Sequence, residues 1–280
     1  MSEPDVIKVI KSIKTNAMGV DKISAKFIKS GAQIVAPFIT DIINNCIKYC
    51  IFPCRWKFAL IKPLPKVPNP ISHSDFRPIS LLPAFSKIIE KILAGQMQKY
   101  LNGAKLINKF QSAYTVNYSC TTVLVDITDF IFNSFDKGEL VILVLLDYSK
   151  AFDCANHDLI LAKARALGFM DSAILLLNSY LSDRFQKIKL ENEESEWTSL
   201  INGVPQGSIL GPLLFTILLT DIKDVIVYSK HHCYADDTQV YTSCKLSDIE
   251  TSLHQINCDL ENIAKFSENN SLDLSAGKSK

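Results

Sequence analysis

Two adjacent aspartates, Asp236 and Asp237, sit in HCYADDTQVY (232–241) between short apolar runs. A third, Asp147, closes the apolar run VILVLL (141–146). An Asp pair between strand formers reads first as a hairpin turn. An apolar run closed by an acid reads as a buried central strand that delivers one carboxylate to its end. At the rim of one sheet, three carboxylates have a second use. Hard oxygen ligands suit Mg²⁺, which keeps waters and takes substrate phosphates as its remaining ligands. Two such ions roughly 3.5–4 Å apart stabilise the attacking and leaving oxygens of an in-line phosphoryl transfer. Taken alone, the pair leaves both readings open.

Other chemistry-bearing groups are less informative. Gly203, Gly207 and Gly211 in GVPQGSILGP suit a loop where backbone approaches a ligand, or an ordinary helix entry. Cys46, Cys50 and Cys54 stand four apart, but no fourth ligand follows at finger spacing. His231 and His232 are adjacent, so on a strand they point to opposite faces. They read as surface and flank, not as ligands. Ser-His-Asp and Cys-His catalysis find no supporting spacing, and GxxxxGK[ST] is absent.

The positioning elements follow from periodicity. Helices are expected at 5–14, 35–51, 79–101 (clearest after Pro83), 119–135, 157–168, 171–181, 212–227 and 247–266. Residues 15–24 read as a loop. Strands are expected at 58–64, at 141–146, at 185–190 and 197–201 around the acidic loop ENEESE, on both sides of the Asp pair, and at 271–275. Prolines 63, 65, 68, 70 and 78 make the stretch to residue 80 irregular. The mixture implies α+β, with an antiparallel sheet backed by helices.

At 280 residues, 48% hydrophobic and 21% charged, the chain is an ordinary globular protein of one large domain or two lobes. It shows no signal-peptide pattern and no membrane span, and its eight cysteines suggest an intracellular setting. The net charge of +1 hides a split: residues 1–110 carry 17 Lys/Arg against 6 Asp/Glu, and the remainder 13 against 23. A polyanion partner for the basic half is one reading, and mutual attraction of the halves is the other.

Eight blocks in order carry a resemblance: FPCRWKFALIKPLPK (52–66), DFRPISLLPAFSKIIEKIL (75–93), QSAY (111–114), LDYSKAFD (146–153), SYLSDRFQ (179–186), GVPQGSILGPLLFTILLTDI (203–222), YADDT (234–238) and SLDLSAGKSK (271–280). Together they resemble the reverse transcriptase domain of non-LTR retrotransposons of the jockey or chicken-repeat type. The resemblance implies the fingers and palm of a right-hand polymerase. Fingers would take about 1–120 and 163–202, and palm about 121–162 and 203–280. It implies RNA-directed DNA synthesis with two Mg²⁺ ions, Mn²⁺ being an alternative. The partners would be an RNA template, a DNA primer and a deoxynucleoside triphosphate.

Residue by residue, Asp147, Asp236 and Asp237 match the catalytic aspartates, with Asp236 the expected ligand and Asp237 the supporting acid. Tyr148 would lend a backbone carbonyl to a metal. Phe152 stands where the family has a steric gate against ribose, Gln206 and Gly207 where the loop packs on the nucleotide, and Lys66 and Arg77 where cations meet the triphosphate. Lys278 matches a lysine placed to protonate pyrophosphate.

Thr115, Phe266, Ser275 and the pair Cys154–Ala155 depart from the family's usual residues. The chain ends at the last palm block, so the expectation is a truncated copy with neither thumb nor endonuclease, and nuclear if the element is active. Its rivals are a non-catalytic nucleic-acid-binding remnant, an RNA-synthesising polymerase and a group II intron maturase.

Overall fold

Prolines 63, 65 and 78 lie inside strands, and the reason is register. Strand β1 (Phe58–Pro65) runs antiparallel to β2 (Phe76–Leu81), with Pro63 opposite Pro78 and Pro65 opposite Phe76. The Lys66 amide bonds the Asp75 carbonyl, so the ladder's hydrogen-bonded rows fall at 66:75, 64:77 and 62:79. All three prolines occupy the alternate rows, where no amide is required. The stretch expected to be irregular after residue 64 is therefore half of a hairpin.

The computed structural model describes residues 1–115, 117–190 and 193–280. The basic N-terminal part begins with helices α1 (Glu3–Ser12), α2 (Ala25–Ser30) and α3 (Ala32–Tyr49). After the β1–β2 hairpin comes α4 (Ala84–Gly103), then α5 (Cys120–Asp136), which Ser119 caps through its hydroxyl. Strand β3 (Leu140–Leu146) leads into α6 (Ala151–Cys154), α7 (His157–Ala166) and α8 (Asp171–Leu181). Strands β4 (Arg184–Leu190), β5 (Glu193–Glu194) and β6 (Thr198–Leu200) follow, then α9 (Leu210–Leu218). Strands β7 (Lys230–Tyr234) and β8 (Asp237–Cys244) and helix α10 (Ile249–Asn269) complete the chain. Two residues of the ENEESE loop, 191 and 192, lie outside the described residues.

Two sheets result. The first has the order β2-β1-β4-β5, with β6 also on β4, and its β1–β4 pair is parallel. The second, antiparallel throughout, has the order β3-β8-β7. Its central strand is β8. Strand β3, expected to be central and buried, is an edge strand. Ile142, Val144 and Leu146 pack with Val240, Ile256 and Ile263 under α10. On the opposite face α5 packs Val123 and Ile127 around Tyr241, and Leu143 and Leu145 stay partly open. Every residue of α9 from Leu213 to Leu218 is buried, as befits a helix enclosed by the main core.

Helix α9 was expected to run to 227 and stops at Leu218. Further on, the amides of Val227, Tyr228 and Ser229 bond the carboxylate of Asp259 on α10, at 2.8, 3.1 and 2.7 Å. A continuing helix would commit those amides to its own carbonyls. Asp259 is fully buried, and the three bonds replace its hydration. The expected last strand, 271–275, is reduced to a single bridge, Tyr148 to Leu274. Just beyond, Lys280 and Leu145 exchange backbone bonds along the outer edge of β3.

Candidate active site

The β3–β8 register carries the acids to one place. Leu146 pairs with Thr238, so the next row sets Asp147 opposite Asp237. Tyr234 and Asp237 close the β7–β8 hairpin, with Ala235 and Asp236 as its two turn residues. Ala235 holds φ at +57°, a left-handed conformation that costs an L-residue about 1–2 kcal/mol.

Charge is crowded here. Burial, then Asp237 and Asp147, push the Asp236 carboxyl above its ordinary value against its own backbone bond and Lys278. Burial, then Asp147, push Asp237 up, and Lys278 again opposes. Lys278 Nζ lies 2.8 Å from Asp147 Oδ2, and that bond raises the lysine in turn. Like charges facing across a strand pair repel, so added positive charge stabilises the cluster. The all-oxygen donor set fits a hard divalent cation. As the side chains stand, no three Asp, Glu, His or Cys groups among the described residues are gathered to hold one ion. Asp147 is engaged by Lys278 instead.

The residues of the 203–211 loop meet β2. The Ser80 amide on β2 bonds the Gln206 carbonyl at 2.7 Å, and Gln206 Nε2 donates to Asp153 Oδ1 at 2.8 Å. Gly207 has φ +114°, and a Cβ there would stand 2.9 Å from the Ser80 carbonyl oxygen. Gly203, at φ +86°, would drive a Cβ to 2.6 Å from the Asp153 carbonyl oxygen. Phe152, on α6, is half-buried and stacks on Phe215 of α9 at 4.5 Å. Tyr148 is buried, and its hydroxyl accepts a 3.2 Å bond from Ser267; burial raises the phenol to about 12. Its bridge to Leu274 uses the Asp147 carbonyl and the Ser149 amide, leaving the Tyr148 carbonyl outside the pairing.

Lys66 and Arg77 stand exposed near the tip of the β1–β2 hairpin. Arg77 pairs with Leu64, two residues before Lys66, so the two share a face with Lys62. Lys66 Nζ bonds the Ser74 carbonyl at 2.9 Å. Among the described contacts nothing joins this pair directly to the acids.

Some features were missed or misread from sequence. His231 and His232, expected as surface and flank, are both buried. Burial pushes His231 down to about 4 and lowers His232 as well. Asn108 bonds His231 at 3.3 Å and Ser112 bonds His232 at 2.7 Å. His232 also lies 3.6 Å from Asp126. This order of Ser, His and Asp is closed off, since the Ser112 side chain is 1% exposed. Residues 110–112 lie along the outer edge of β7, bonded through Cys233. Gln111 and Glu90, which sequence reading left without a role, are both buried, Gln111 against the Ala235–Asp236 turn and Glu90 at the start of α9. Glu90 accepts from the Ile209 and Leu210 amides at the start of α9 and from the Ser86 hydroxyl.

The profile of a family described as reverse transcriptase (RNA-dependent DNA polymerase) matches residues 64–280. The chain belongs to the reverse transcriptase family. The RNA-directed DNA polymerase from mobile element jockey of Drosophila melanogaster is 29% identical over 241 residues, covering 82% of this chain and 26% of that protein. Its namesake in Drosophila funebris is 25% identical over 251 residues, covering 85% and 27%. The chain thus spans about a quarter of the length of the curated relatives it matches. Apo telomerase from Candida tropicalis superposes with a TM-score of 0.60 at 13% identity, covering 86% of this chain and 49% of that one. That likeness is one of fold, and it agrees with a reverse transcriptase architecture of sheets backed by helices. Among the described residues no helix is long and apolar enough to cross a membrane.

Proposed function

We propose that this reverse transcriptase domain carries out RNA-templated DNA synthesis, transferring a nucleotidyl group from a deoxynucleoside triphosphate to a primer 3′-OH. The observation that carries the reading is the row formed by Asp147 and Asp237 beside Asp236, with burial and mutual repulsion raising the paired carboxyls. Asp147, Asp236 and Asp237 would hold two Mg²⁺ ions, or Mn²⁺. When bound, such ions lower the charge barrier to phosphoryl transfer. Asp236 is assigned as the principal ligand and Asp237 as its support.

The other residues act on the nucleotide and the strands. Lys66 and Arg77 bind phosphates, the lysine as a point charge and the arginine as a fork. Phe152 limits room at the ribose 2′ position. Gln206 and Gly207 form the surface on which base and sugar rest. Tyr148 offers its free carbonyl, and Lys278 donates a proton to pyrophosphate. Fingers are assigned to about 1–120 and 163–202, and palm to about 121–162 and 203–280. RNA template and DNA primer follow the basic N-terminal part, whose excess of Lys and Arg supports phosphate contacts. An active element would use the domain in the nucleus.

Primer extension on an RNA template tests this. Mg²⁺-dependent DNA synthesis that Asp147→Asn abolishes is the expected result, and its absence in the wild-type chain would sink the reading. The Lys278–Asp147 ion pair favours a second reading, a nucleic-acid-binding module without synthesis. RNA binding that persists in Asp236→Asn, with no synthesis by the wild type, would select it.

A further inference from the structure

We infer that Gln111 is a positioning residue that locks the turn bearing Asp236, and so sets the affinity of the acids for divalent metal. The inference rests on the metal-site reading above.

The observation is a side chain doing the work of a neighbouring strand. Gln111 Oε1 accepts the Ala235 amide at 3.0 Å, and Gln111 Nε2 donates to the Ala235 carbonyl at 3.2 Å. Ala235 is a turn residue, so its own amide and carbonyl fall outside the β7–β8 ladder. Both groups are therefore satisfied by one amide side chain. The same Oε1 accepts the Ala113 amide at 3.1 Å, which fixes the orientation of the glutamine.

The anchor is itself held. The Ser112 amide bonds the Cys233 carbonyl, and the Cys233 amide bonds the Phe110 carbonyl, at 3.0 and 2.8 Å. The bonds from Asn108 to His231 and from Ser112 to His232 fasten the segment at two more points. Gln111 is 5% exposed and Ala235 8%, so neither bond is easily replaced by water.

The need for a lock is equally visible. Ala235 is a non-glycine residue at φ +57°, immediately before Asp236. Its methyl group gives the turn no side-chain anchor. A turn released from Gln111 can relax towards ordinary φ, and that rotation carries the Asp236 carboxylate with it. Removing residues that orient metal ligands commonly weakens affinity by roughly 10–100-fold.

The test uses the whole chain, with Gln111→Met as a near-isostere that loses both bonds. Ser112→Ala is the control, since it loosens the same segment at His232 and leaves Ala235 held. Two readouts are compared: Mn²⁺ binding by electron paramagnetic resonance, checked by its loss in Asp236→Asn, and metal-free amide exchange across residues 233–238. Gln111→Met should weaken Mn²⁺ binding by roughly 10–100-fold and accelerate exchange at Ala235, whereas Ser112→Ala should do neither. Equal weakening in both variants would mean a merely structural role and overturn the inference. Unchanged exchange at Ala235 in Gln111→Met would overturn it too. Wild-type protein that binds no Mn²⁺ would sink the metal-site reading, while the exchange arm would still judge the lock. Should Gln111→Met not fold, Gln111→Glu keeps the Oε1 acceptor and loses the donor to Ala235. Wild-type values for that variant in both readouts would refute the role.

Discussion

Acid should destabilise this fold through His231. The ring is 5% exposed, sits edge-on to Phe110 at 4.9 Å and contacts Asn108. Burial first, then His232, lowers its pKa from 6.5 to about 4. The unfolded chain therefore binds more protons than the folded one between those values. Stability is fully present above pH 6.5 and drains away as pH falls towards 4. For a single site with these two values, about 2 kcal/mol is lost between roughly pH 7.5 and pH 5. His232 is lowered as well and adds in the same direction. The raised carboxyls of Asp236 and Asp237 act oppositely, because they take up protons more readily when folded. Comparison with His231→Gln isolates the first effect, since the variant keeps a polar group for Asn108 and cannot titrate. Urea unfolding of both proteins near pH 7.5 and near pH 5 should show a pH-dependent loss smaller by about 2 kcal/mol in the variant. Identical losses, or an NMR titration of the His231 ring near its unperturbed value, would show that burial of this ring does not drive the acid loss.

Two further outcomes follow from buried contacts. Glu90→Gln keeps the shape of the side chain and removes its charge from the first amides of α9. It should cost about 1–3 kcal/mol in urea unfolding, and an unmoved midpoint would mean the carboxylate does not hold those amides. Gly203→Ala combines φ +86° with a Cβ 2.6 Å from the Asp153 carbonyl oxygen. A loss of about 1–3 kcal/mol by thermal unfolding is expected, and an unchanged Tm would show that the loop yields without strain.

The acids were legible because each stands where an apolar run stops, and the ladder then brings those stops together. The helices at 120–136 and 249–269 were legible for a similar reason, since each turns one apolar stripe towards a sheet or helix. Strand β2 was hidden because proline argues against a strand unless the hydrogen-bonding row is known. The two histidines were misread although their alternation is correct. His232 faces Asp126 of α5, while His231 lies on the side where Asp259 of α10 acts on it. Two covered faces bury both residues. Gln111 stood out only as the first residue of QSAY and its role was not readable, because a side chain bonding backbone 124 positions away has no spacing to read.

The parallel pairing of β1 with β4 also sets an order of assembly. The β1–β2 hairpin leaves the ribosome complete, but its third strand lies about a hundred residues further on. At about 5–20 residues per second, the hairpin waits on the order of 5–20 s for that partner. A lone two-stranded hairpin is marginal in water, and its open edge invites pairing with other chains. Pairing with β4 uses only Phe58 to Ile61, and Pro63 and Pro65 follow at once. Prolines 63 and 65 thus shorten the adhesive edge of β1 during synthesis, leaving four residues to be protected until β4 arrives.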